Sequence, residues 1–169
     1  MKIPNCIRAE CREIRLLHCL VGAVCGLVLS IISALLAGNF FILYRILLLP
    51  RSALPPLIFI MFQCLQFMLV GVIIAIILTT RRRRNTKWRS AALLLHFTHL
   101  SLLVIWFPLV FGSISFLIAL IVAITAAALC FYSLRFAIRV SGIATLAAMA
   151  HFLWLVYLVW MSFAIVILN

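Results

Sequence analysis

The chain has 169 residues, a formal net charge of +12 and 69% hydrophobic residues, against about 45–50% in an ordinary soluble domain. A mean hydropathy of +1.38 excludes a water-exposed globule and calls for an apolar solvent. With Glu10 and Glu13 as the only acids and no glycine-rich phosphate loop, paired-carboxylate, Ser-His-Asp and Walker or Rossmann chemistry cannot be assembled.

The length fits one domain, and the pattern predicts an all-α membrane protein, a bundle of five transmembrane helices with no soluble domain. Residues 1–15 form a basic N-terminal flank without the features of a cleavable signal peptide. Ile3, Ile7, Cys11 and Ile14 would make an apolar stripe opposite Arg8, Arg12 and Arg15. An interfacial helix and an unstructured flank both satisfy that pattern.

The membrane domain occupies 16–169. Its first span is expected at about 16–44, with Gly22, Gly26, Ser30, Ala34 and Gly38 at every fourth position. Small residues in that register make a groove that lets another helix approach closely. Residues 45–56, RILLLPRSALPP, interrupt the apolar run. Pro55 and Pro56 suit the first turn of the next helix, where proline is tolerated.

The second span is expected at about 57–79 and must stop before Arg81, Arg82, Arg83 and Arg84. At about 2.5–3.5 kcal/mol for each arginine at a span centre, the four would cost on the order of 10 kcal/mol inside hydrocarbon. A third span at about 91–111 contains Pro108. After a short turn at Gly112 and Ser113, the fourth covers about 115–134, and the fifth about 142–168.

Lysines and arginines are unevenly divided between the two ends of these spans. Twelve fall in the N-terminal flank and the second and fourth loops, and two, Arg45 and Arg51, in the first loop. The bias predicts a cytoplasmic N-terminus and an outside C-terminus, as for insertion into a bacterial cell membrane. Placed at span ends, the positive charge points to anionic lipid as partner and away from nucleic acid.

Six cysteines, Cys6, Cys11, Cys19, Cys25, Cys64 and Cys130, form no C-x-x-C pair and read as free thiols. His96 and His99 share a helix face, which admits a bis-His metal or haem site. No thiolate or carboxylate is spaced along the chain to complete a zinc site. The reading favoured is therefore no metal, with histidines hydrogen-bonded between helices or lying near the interface. His99, Leu103 and Trp106 form one stripe; Tyr157, Trp160, Ala164 and Ile167 form another. His151 falls on the side of its helix opposite Trp160 and is expected outside any pocket there. The indoles fit an interfacial belt or the wall of a pocket for a flat ligand.

Several of these segments resemble one family. Tyr157-Leu158-Val159-Trp160-Met161-Ser162-Phe163-Ala164 is similar to the fifth-helix motif Y-L-x-W-x-x-F-A of the TspO/translocator protein family, the peripheral-type benzodiazepine receptors. Trp106-Phe107-Pro108-Leu109-Val110-Phe111-Gly112 resembles its third-helix W-x-P-x-x-F-G segment. Tyr44, Leu47 and Pro50, then Pro55 and Pro56, match the approach to its first loop and the proline pair. The order agrees over about residues 20–168, as in a divergent member. Leu49 replaces the family's loop lysine, His99 and Leu103 its helix-three glutamine and asparagine, and Val156 the proline before Tyr157.

The resemblance implies a five-helix receptor or carrier, often a homodimer, that binds porphyrin, haem-like tetrapyrrole or sterol-like ligands in a pocket under the first loop. No cofactor would be required. Carried over by position, Trp106, Tyr157, Trp160, Phe163 and Ala164 line the pocket, with His99 in place of glutamine. Pro50, Arg51, Pro55 and Pro56 belong to the lid loop. Arg45 and Arg51 carry the charge to pair with propionates. Two rivals accompany this expectation: a membrane scaffold or accessory subunit without a small-molecule site, and an enzyme acting on porphyrin. Among these the lack of intramembrane acids disfavours the enzyme.

Overall fold

The computed structural model describes residues 16–80 and 86–169. The amphipathic stripe in residues 1–15 and the Arg81–Arg84 run lie outside the described residues. Six helices follow in order: α1 Leu16–Leu36, α2 Phe40–Ile46, α3 Pro56–Thr79, α4 Thr86–Phe111, α5 Phe116–Ala137 and α6 Gly142–Leu168. Among the described residues there is no strand. All but α2 are long and apolar enough to cross a bilayer, which takes about 20 residues. The five-span bundle is thus observed.

The first span differs from expectation. It ends at Leu36 rather than near Tyr44 because Gly38 takes φ of +68°, a left-handed conformation in which glycine alone avoids a Cβ penalty. The Gly38 N–H turns back to the Leu35 carbonyl, and α2 starts afresh at Phe40. Gly38 therefore ends the helix instead of continuing the small-residue stripe. The other spans run close to expectation. α4 begins several residues earlier than predicted, at Thr86, and α5 extends three residues further, to Ala137. Pro56 opens α3 in its first turn, and Ser141 caps α6 by accepting the Ala144 N–H.

α1 rests mainly on α3, α4 on α5 and α5 on α6, while α3 also reaches α6 and α4. The first of these contacts is made by backbone. A Cβ on Gly22 would meet the Gly71 carbonyl, one on Gly26 the Phe67 carbonyl, and one on Gly71 the Gly22 carbonyl. Helix association in lipid has no hydrophobic driving force, so such close dispersion contact is what holds α1. Polar links add to it: Ser33 Oγ donates to the Val104 carbonyl at 2.8 Å, and Ser30 Oγ to Cys64 Sγ at 3.4 Å.

Two apolar clusters fill the bundle. An aromatic one lies near the α2 end, and an aliphatic one around Ile73, Ile77, Ala92, Val140 and Ala148 lies at the opposite end. Beyond the aliphatic cluster the Arg139 guanidinium sits 4.2 Å from the Trp88 ring centre, and Trp88 stacks on Phe136. Arg135 lies nearby over Tyr132.

Gly71→Val should lower stability by about 1–3 kcal/mol or separate α1 from α3 altogether. Gly38→Ala, where space is free but φ is positive, should cost only about 1–2 kcal/mol. Thermal unfolding of the two variants in detergent checks the difference. A milder effect at position 71 than at 38 would refute the backbone contact.

Candidate functional site

The first loop, residues 47–55, lies over one end of the bundle and is fastened to α6 by side chains. The Trp160 indole donates to Ser52 Oγ at 3.1 Å, and the Tyr157 hydroxyl accepts the Leu54 N–H at 3.2 Å. Asn169 both accepts from the Leu48 N–H and donates to the Leu48 carbonyl, each at 3.1 Å. From the other side the Tyr44 hydroxyl donates to the Leu54 carbonyl. Burial pushes the Tyr44 hydroxyl well above its ordinary value, so it remains a donor. Within the loop, Ala53 N–H bonds back to the Pro50 carbonyl at 2.9 Å, which makes the bend the prolines favour. Arg51 and Pro55 are exposed, and Pro50 and Pro56 half-buried.

Beneath this cover the interior is aromatic. Phe40 packs on Phe107 at 5.1 Å and on Phe111 at 4.8 Å between ring centres; Phe59 lies 5.6 Å from Trp154 and 6.4 Å from Trp106. Offset and edge-to-face pairs of this kind are worth about 0.5–1.5 kcal/mol each beyond their burial. Both buried indoles have partners. Trp106 donates to Ser162 Oγ at 3.0 Å, and Ser162 in turn donates to the Leu158 carbonyl at 2.8 Å. Trp154 donates to Gln63 Oε1 at 3.1 Å.

The residues expected in a pocket therefore separate into layers. Trp106 and Ala164 are buried in the bundle, and His99 lies within it. Tyr157 is half-buried under the loop, while Trp160 and Phe163 are 51% and 47% exposed at the rim. No ring contact joins Trp106, fully buried, to Trp160, half-exposed. Tyr157 and Trp160 both touch the loop. A half-open apolar groove of about 500 Å³ lies elsewhere, between α1, α3 and α4, lined by His18, Gly22, Cys25, Gly71, Phe97 and Leu100.

Sequence reasoning missed Trp154, Gln63, Ser52 and Ser162. Trp154 stands three residues before Tyr157 on α6, and its ring centre is 5.1 Å from that of Tyr157. The spacing alone would have placed the two rings together.

Deeper in the bundle the histidines gather. His96 and His99 have ring centres 5.2 Å apart, and His151, turned inward on α6, lies 5.4 Å from His99. Cys130 of α5 completes the group: one donor atom each from His99, Cys130 and His151 lie within 4.8 Å of one another. The sulfur donor that sequence spacing did not offer is thus supplied by tertiary contact, its thiol directed to the Ala148 carbonyl at 4.0 Å. These four side chains are the ones in the site region whose chemistry suits a metal.

The family model described as the TspO/MBR family matches residues 19–168. No curated protein matches the chain.

Ser162→Ala leaves the Trp106 N–H buried without an acceptor and should cost about 1–3 kcal/mol. Ser52→Ala frees only the half-exposed Trp160 N–H and should cost under about 1 kcal/mol. Denaturant titration in detergent compares them. Equal effects would contradict the difference in burial.

Proposed function

Since the chain belongs to the TspO/MBR family over nearly its whole length, we propose that this integral, multi-pass membrane protein is a receptor or carrier for a flat apolar ligand of tetrapyrrole or sterol type. The ligand would be taken up under the loop of residues 47–55. The observation that carries this reading is the manner in which the loop is held. Tyr157, Trp160 and Asn169 fasten it to α6 through side-chain hydrogen bonds, while Leu47, Leu49 and Leu54 pack, only partly buried, on the core. Each such bond is worth about 0.5–1.5 kcal/mol net, and releasing them breaks no hydrogen bond within the spans.

Opening exposes an aromatic floor to which a planar ring system can stack. Phe40, Phe59, Phe107 and Phe111 would shift aside, and Trp106 below and Trp160 at the rim would contact the ligand. Tyr157, half-buried under the loop, and Ala164, buried on the same helix face, would line its pocket, with Phe163 at the exposed rim. Arg45 and Arg51, exposed at this end, would pair with propionates at the water boundary. We further propose a bacterial cell membrane with the N-terminus cytoplasmic, which puts the loop outside, and assembly as a homodimer. Lys87, Arg89, Arg135 and Arg139 at the end opposite the loop support this orientation.

One observation favours the second reading, a scaffold or accessory subunit. In the closed form the interior beneath the loop is filled by aromatic rings, and Trp106 is fully buried. A scaffold needs no opening, whereas a receptor does.

Titration of the purified protein with protoporphyrin, followed by the porphyrin absorption band, separates the two. The receptor reading expects saturable one-to-one binding that weakens at least tenfold in Trp106→Phe or Trp160→Ala. Binding that is unsaturable, or indifferent to both substitutions, rejects it. Tyr157→Phe combined with Ser52→Ala removes two lid bonds and should speed ligand association severalfold, as stopped-flow mixing would record.

A further inference from the structure

His99, His151 and Cys130 come from α4, α6 and α5, three different helices, and meet where the bundle is driest: each is 0% exposed. The hydrogen bonds at each ring decide which nitrogen is free. His99 Nδ1 lies 3.0 Å from the Leu95 carbonyl, His96 Nδ1 2.8 Å from the Ala92 carbonyl, and His151 Nδ1 3.0 Å from Gln66 Oε1. All three partners are acceptors, so the neutral ring carries its proton on Nδ1. Nε2 is then a bare lone pair. The Nε2 atoms of His96, His99 and His151 are all buried and have no hydrogen-bond partner among the described residues.

Lone pairs gathered in an apolar interior repel one another and go without the donor each would have in water. A cation removes both penalties. The outer bonds already have the form that metal-binding histidines use, Nδ1–H held by a carbonyl oxygen so that Nε2 is aimed and made more basic.

Charge and softness narrow the choice of ion. The only side-chain carboxylates in the chain are Glu10 and Glu13, in the N-terminal flank, so the one group of this cluster that can become an anion is the Cys130 thiol, by losing the proton it now directs to the Ala148 carbonyl. Two neutral imidazoles and one thiolate neutralise a monovalent cation. A divalent ion would leave a net positive charge in a medium that penalises it severely. Thiolate with imidazole is also the donor set that takes cuprous copper. Donors bound about 2.0 Å (nitrogen) and 2.3 Å (sulfur) from a metal stand roughly 3.5–3.8 Å apart in a trigonal array. The observed 4.8 Å limit closes to that by rotamer adjustments of up to 1 Å or so.

We propose that His99, Cys130 and His151 form a buried three-coordinate site for a cuprous ion, with Gln66 positioning His151 and His96 available as a fourth nitrogen. On binding, the Cys130 S–H bond is replaced by an S–Cu bond, the thiol proton passes to the medium, and the copper remains cuprous. The site ties α4, α5 and α6 together and is separate from the ligand region under the loop.

The test uses the full chain in detergent, without oxygen, with Cu(I) supplied from a competing chelator. The expected result is one copper retained per chain, with X-ray absorption showing both sulfur and imidazole nitrogen around the metal, and a rise in melting temperature. Cys130→Ser should weaken retention at least a hundredfold while the metal-free melting temperature stays near that of the wild type. Cys25→Ser and His18→Ala should retain copper as before. The proposal is overturned if the wild-type chain yields the ion to the chelator, if no sulfur is bound, or if zinc is held and Cu(I) is not. Retention lost in the Cys25 or His18 variants and kept in Cys130→Ser would likewise overturn it. The wild-type absorption spectrum decides by itself should the Cys130 variant fail to fold.

Discussion

In hydrocarbon there is no water to satisfy a polar group, so every such side chain inside the bundle must find its partner within the protein. That requirement organises this fold more than apolar burial does, because the surrounding lipid is as greasy as the core. Ser33 reaches the Val104 carbonyl, Trp106 reaches Ser162, Trp154 reaches Gln63 and His151 reaches Gln66. The first two join α1 to α4 and α4 to α6, and the last two both join α6 to α3. Together they specify which helix lies beside which, where interchangeable aliphatic side chains would permit several arrangements.

The same requirement divides the molecule along its length. At the loop end, indole and phenol groups span the boundary between core and water, and their polar tips hold the loop by bonds that water can replace. At mid-depth the histidines have no such exchange available. The opposite end is closed by aliphatic packing and by arginines lying over aromatic rings. Side-chain bonds that water can replace are thereby concentrated at the loop end of the bundle.

The five spans were legible because their signals are local: length, apolar runs and the arginines that end them. Gly22 and Gly26 were legible as a contact surface for the same reason. Gly38 belonged to the same spacing pattern yet does something else, since spacing does not reveal whether a glycine is chosen for size or for backbone freedom. Tyr157 and Trp160 of the fifth-helix motif hydrogen-bond the first loop, and nothing in the motif named Leu54 or Ser52 as their partners. The convergence of His99, His151 and Cys130 was hidden. His151 was judged against Trp160 on its own helix, and what mattered was the azimuth of α6 relative to α4 and α5. That angle is set by packing among distant segments and leaves no periodic trace in any one of them.

The backbone contact of α1 with α3 has a consequence for how the chain tolerates change. α1 buries only Gly26, Ser30 and Ser33 fully, while Leu20, Val24, Val28, Ile31 and Leu35 look outward. Its attachment is thus written in a few small positions, and the rest of its circumference answers only to the solvent properties of lipid. Substitution among aliphatic residues on that outer arc is close to neutral, so this helix can drift widely in composition, or acquire a new neighbour there, while its seat on the bundle remains the same.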